Sequence, residues 1–244
     1  MAPRFLCLFL VLLAPWCPLP APGAPPPSYP SAQVARQRFE LADRDMNVHW
    51  NSVRKTLPPG EYRLIQESQR RWALVRDEMC ASPIYTATGG ETRHRSNSGP
   101  FLQTAADLTE QRGKWLKGVA DFWNQSGLSG VWEDGEGGRI EVLQREGHLA
   151  FSIETVRGVA SNTGALAGVA VWDHRVGWYS TPKGASFCLL LRQNRLELVS
   201  SGPSPHHHPE AGFDGNYYRT RELTSDSSET LERMLSGKTT KPVP

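Results

Sequence analysis

From Phe39 to Leu57 the large apolar residues Phe39, Met46, Trp50, Val53 and Leu57 recur at steps of seven, four, three and four, with Ala42 filling the longer gap. That spacing places them on one stripe of an amphipathic helix. After Leu57-Pro58-Pro59-Gly60 the pattern resumes with Leu64 or Ile65, Trp72, Val75 and Met79, so a second striped helix follows. Two striped helices joined by a short turn predict an antiparallel hairpin. Pro58 pushes Leu57 out of helical backbone, and Pro59 fits a first helical turn, where its missing N–H would have had no partner. Glu61 suits the positive end of that helix. A third helix is predicted from about Gln103 to Trp123, with Leu108, Trp115 or Leu116, Val119 and Phe122 inward.

From Leu128 the period changes. Ile140 and Val142, then Leu149, Phe151, Ile153 and Val156, alternate or nearly so, with Arg145-Glu146-Gly147 as the turn between them. Further strands are predicted over Ala165–Trp172, Val176–Ser180, Phe187–Arg192, Arg195–Ser200 and Asn216–Arg219. The turns between them fall at Ser161 to Gly164, Asp173-His174, Pro182-Lys183-Gly184 and Gln193-Asn194. Many short strands with short turns imply an antiparallel meander. The fold class is therefore α+β: an N-terminal three-helix domain with an antiparallel helical hairpin, then an antiparallel β-meander forming a small barrel or sandwich.

Composition changes this picture little. With 39% hydrophobic and 21% charged residues, neither a disordered chain nor a membrane bundle is indicated. Lys plus Arg number 27 against 25 acidic residues, a balance that does not call for nucleic acid. The ends are more informative. Residues 1–23 carry one basic residue, an apolar run from Phe5 to Ala14 and the small residues Ala21-Pro22-Gly23, the pattern of a secretory signal peptide too short for an ordinary span. Cys17 follows Ala14-Pro15-Trp16, a poor fit to a lipid-attachment site. The expected organisation is a leader over 1–23, a Pro-rich linker over 24–30, a helical domain over 31–126, a β-domain over 127–223 and a mostly mobile tail over 224–244 with one helical turn near Leu231. An exported chain permits disulfides, and removal of the leader leaves two cysteines, Cys80 and Cys188.

The hairpin carries motifs. Ala42-Asp43 with Met46-Asn47, the Leu57-Pro58 turn, Ser68-Gln69-Arg70-Arg71-Trp72 and then Arg76-Asp77 with Cys80 resemble the signature of the LprI-type lysozyme-inhibitor N-terminal family of bacterial envelope proteins. Gly89-Gly90 and Leu108 to Arg112 resemble that family's third-helix pattern. The resemblance implies an exported, periplasmic or extracellular, non-enzymatic binding protein that blocks lysozyme, with a non-catalytic envelope scaffold or interaction protein as the alternative. It also implies local disulfides, but the positions of their partners, Arg36 to Phe39 and Thr104, hold no sulfur. Cys80 then either pairs with Cys188 or stays a buried thiol. The second half is more loosely similar to the β-domain that follows the helical unit in such proteins, through Gly164 to Val171 and Gly212 to Arg219.

Chemistry-bearing residues point to binding. No nucleophile elbow, phosphate loop or zinc-protease motif occurs. His206-His207-His208 lacks metal-ligand spacing, so no metal and no cofactor are expected. Trp50 and Trp72 read as core anchors. A lysozyme cleft holds two carboxylates, and donors able to meet them are Arg93 and Arg95 in the polar loop before the third helix, and His174, Arg175 and Lys183 at β-turns. Residues 31–126 carry 14 basic and 11 acidic side chains, and residues 127–223 carry 9 and 11, so only the β-domain has the sign that attracts a basic enzyme.

Overall fold

A computed structural model describes residues 30–82, 93–158, 161–181, 186–201 and 212–237. The leader, nearly all of the linker, Gly89-Gly90, Lys183 and the histidine run lie outside them. Three helices, α1 (Ala32–Thr56), α2 (Pro59–Ala81) and α3 (Gly99–Phe122), precede eight strands. The strands are β1 (Gly130–Glu133), β2 (Gly138–Arg145), β3 (His148–Arg157), β4 (Asn162–Asp173), β5 (Val176–Ser180), β6 (Ser186–Arg192), β7 (Arg195–Ser201) and β8 (Gly215–Arg221). A fourth helix, α4 (Ser225–Leu235), follows.

The α1–α2 hairpin runs antiparallel. Trp50 packs on Tyr62 with ring centroids 5.3 Å apart, Gln69 reaches Met46, and the Arg76 guanidinium lies 5.7 Å from the Phe39 ring centre, so pairs along the two helices converge from the turn outward. Ser31 caps α1 by accepting the Val34 N–H, and Pro59 opens α2 as its first residue. The closest helix pair is α1 with α3. Buried Ala35 and Ala42 on one and Ala105, Ala106 and Gly113 on the other let the backbones approach. Arg38 of α1 pins that contact to Asp107 and Glu110 of α3. α3 starts earlier than its apolar period predicts, because Ser98 accepts the Phe101 N–H and caps a turn that Pro100 favours.

The meander closes: each strand pairs antiparallel with the next and β8 pairs with β1. Closure selects the barrel over the sandwich and leaves no free edge. Inward residues fill the interior, among them Trp132, Phe151, Ile153, Phe187, Leu196 and Tyr217, all at most 2% exposed. Strands β3 and β5 to β7 fall close to the predicted ranges, with Leu149, Phe151 and Ile153 inward as expected but Val156 outward and 50% exposed, and Glu146 and Gly147 take the positive φ of a two-residue hairpin turn. Three details differ. β1 is a short strand with no alternation to announce it. β4 begins at Asn162 inside the expected Ser161 to Gly164 turn. The segment read as a mostly mobile tail contains an 11-residue helix, α4, whose Leu231 is buried against Leu143 and Ala150 on the outside of the barrel.

The helical layer rests on β8. Tyr218 belongs to the same apolar cluster as Val53, Ile65, Trp115 and Val119. Where α3 crosses the strand, a Cβ on Gly118 would meet the Thr220 carbonyl oxygen at 2.7 Å, so only glycine permits the approach. Glu61, expected merely to suit a helix end, is 7% exposed and accepts hydrogen bonds from Arg195 Nε at 3.0 Å and Tyr218 Oη at 3.2 Å, tying α2 to β7 and β8.

Candidate functional site at the seam of helices and barrel

A cleft opens where α2 and α3 face the β1–β2 turn. It has two adjoining parts, of about 420 Å³ and about 470 Å³, which share Trp72, Leu108, Gln111, Gly135 and Gly137. The second part is the apolar one, with Val75, Met79 and Val156 added to Trp72 and Leu108. The apolar stripe of α2 thus divides: Ile65 is in the core, whereas Val75 is 41% exposed in the cleft wall. Trp72, expected as a core anchor, is half-buried in that wall.

The β1–β2 turn, Asp134-Gly135-Glu136-Gly137, is the floor. Asp134 Oδ1 accepts the N–H groups of Glu136 at 2.7 Å and Gly138 at 2.8 Å, while Oδ2 accepts Arg157 Nη2 at 2.6 Å. Both glycines are required. Each has positive φ, a Cβ on Gly135 would strike Arg112 and Trp115, and one on Gly137 would lie 2.0 Å from the Val156 carbonyl oxygen. Arg71 of α2 crosses the cleft to Glu136 at 2.6 Å.

Arg112 lies beneath, 2% exposed. Its guanidinium donates to Gln69 Oε1 at 2.8 Å, Gly135 O at 2.8 Å and Ser68 Oγ at 3.0 Å, and stacks 4.1 Å from the Trp115 ring centre. Burial pushes it down to about 9, opposed by the nearby charges of Glu136 and Asp134, and it remains a cation at neutral pH. The first part of the cleft adds Lys114, Arg139 and Arg221; Glu133 accepts Arg221 at 2.8 Å and Thr220 at 2.9 Å, and Arg139 pairs with Glu141. The arrangement offers aromatic and aliphatic contact beside a cationic rim. Among the described residues no group of three or more His, Cys, Asp and Glu is placed to hold a metal ion.

The described donors among those expected from the sequence, Arg93, Arg95, His174 and Arg175, lie elsewhere and apart. Arg93 forms a two-point ion pair with Glu78 at 2.7 and 2.8 Å, and Arg95 is exposed in the turn before α3. His174 stands exposed beside Asp173 in the β4–β5 turn. Arg175 donates to the carbonyls of Leu191 at 2.8 Å and Gln193 at 3.2 Å, which holds the neighbouring hairpin. His174 shares a small hollow with Phe122, at the end of α3 opposite Arg95. The 24 residues of α3 separate the two groups by roughly 36 Å at ~1.5 Å per residue. The bridge considered between Cys80 and Cys188 is not formed: both are free thiols, Cys80 buried in the last turn of α2 and Cys188 on the outward face of β6. Ser68 to Trp72 and Leu108 to Arg112 stand out in the sequence as motifs, but nothing in Asp134 to Gly137 foretells that they gather around that turn.

Fold and site together define an α+β protein with a helical layer docked on a closed barrel and a cleft along the seam. Residues 27–116 match the model of the family described as Lysozyme inhibitor LprI, the family that the hairpin motifs resemble. The match ends within α3 and is followed by the barrel. Neither the comparison with curated proteins nor that with solved structures gave a match.

Proposed function

We propose that the protein is an exported inhibitor of lysozyme, which binds the enzyme and occludes its substrate cleft. The observation that carries this reading is the family match, because the matched segment also builds the helical wall of the seam cleft, with Trp72, Val75 and Leu108. A partly buried tryptophan beside aliphatic side chains and cations is the composition of a protein-contact hot spot. A second reading, a non-catalytic envelope interaction protein, draws support from the rim: Arg139 and Arg221 are paired with Glu141 and Glu133, which leaves the charge of Lys114 in excess, and such a rim attracts an acidic partner rather than a basic enzyme.

The test uses the chain from Ala24 onward, a c-type lysozyme, calorimetric binding and an assay of cell-wall lysis. Submicromolar binding with inhibition is expected, weakened about tenfold or more in Trp72→Ala. Failure to bind lysozymes of several types sinks the inhibitor reading and leaves the envelope partner, to be sought among acidic components.

A further inference from the structure

The helices leave one side of the barrel open. The helical layer occupies β8 and reaches β7 through the Glu61–Arg195 pair, while α4 lies over β2, β3 and β4. On the remaining wall the outward residues Val171, Trp178, Cys188 and Val199 stand directly opposite one another on β4, β5, β6 and β7. They form one row, ~14 Å long at the usual strand spacing. Val171 is 61% exposed, Trp178 60% and Val199 43%. The row on one side of it continues the apolar surface with Val176 and Leu190, and the row on the other is Ser180, Ser186 and Ser201. Among the described residues charge enters only along one edge, where Asp173 and Glu197 end the Val176 row and Arg192, paired with Glu197, follows Leu190 on β6.

Soluble monomers expose apolar side chains singly, and a contiguous apolar surface around a tryptophan marks a contact face. We infer that this wall is where two copies of the chain associate about a twofold axis. A twofold contact sets each surface against itself, so its chemistry must be self-complementary. This one is. Apolar side chains pack on their own kind, a serine hydroxyl both donates and accepts and so pairs with another serine, and the middle of the face presents no charge to meet its like. A charged enzyme finds no countercharge here, which separates this face from the seam cleft and makes the inference independent of the inhibitor reading. Cys188, half-buried in the middle of the row, packs in the contact as a small apolar group.

The test is sedimentation of the chain from Ala24 at rising concentration, beside Trp178→Lys, Val199→Glu and the control Leu74→Lys, whose side chain is exposed on α2. Far-UV circular dichroism checks that each variant is folded. The expected result is a dimer that Leu74→Lys preserves and that Trp178→Lys and Val199→Glu each weaken about 30-fold or more, the effect of losing an interface hot spot. A monomer at ~100 μM, where even a weak specific dimer is populated, overturns the inference. So does a dimer that survives both wall variants, or one that Leu74→Lys breaks equally.

Discussion

Burial holds the Cys80 thiol in its protonated form and pushes it up to about 12, only partly offset by the Arg76 charge. An unfolded chain gives up that proton near its ordinary value of 9.0 while the folded chain keeps it. The contribution to stability is therefore full below pH 9 and is lost as the pH climbs toward about 12, at up to ~1.4 kcal/mol per pH unit. The buried phenols Tyr217 and Tyr218 are raised by the same cause and act with the same sign, but only above their ordinary value of 10.0. Urea unfolding should show stability falling from pH 9 upward, and Cys80→Ala should make the fall between pH 9 and 10 shallower, leaving the part due to Cys188, which burial also raises from 9.0; an unchanged slope in that variant would assign the effect to other groups. Residues of this kind were only half legible in the sequence. Cys80 read correctly as either a bridge or a buried thiol. Arg112 read only as part of a helix motif, since nothing beside it signals burial until the β1–β2 turn, 23 residues on, supplies the Gly135 carbonyl that receives it.

At the scale of elements, what the chain spells out locally was legible and what depends on a distant neighbour was not. The first two helices announce themselves by their stripes and the proline turn, and β2 to β7 by alternation and hairpin turns. β1 has too few residues to alternate, and α4 has little apolar surface apart from Leu231, Met234 and Leu235, so its stability comes from docking on Leu143 and Ala150. Gly118 illustrates the same dependence. In an isolated helix, replacing a mid-helix glycine by alanine stabilises by ~1 kcal/mol. Here the new Cβ meets backbone of β8 at 2.7 Å, and neither element can yield without disturbing its own hydrogen bonds. Gly118→Ala should lower the melting temperature where propensity alone would raise it, by several degrees for a loss of about 1–2 kcal/mol. A rise would mean that α3 and β8 stand further apart than described.

Across the whole molecule, helices and barrel share one interior. Tyr218 packs among Trp115, Trp123 and Ile65, and the Glu61–Arg195 pair, 10% and 12% exposed at its side chains, would be an unpaired buried charge if the layers parted. The two layers should therefore unfold together: far-UV signal from the helices and near-UV signal from the barrel tryptophans are expected to give coincident denaturation curves, whereas two separated transitions would show independent domains. The strand that joins the layers is also nearly the last to be made. α3 ends at Phe122 and its resting place begins at Gly215, so a chain growing from its N-terminus completes its helices long before β8 exists. Until then Trp115 and Trp123 have no strand to lie on, and β1 has only one of its two neighbours. Synthesis of β8 thus sets the moment at which the three helices become secure, and a chain cut short before β8 would lose the footing of its helices along with the closure of its barrel.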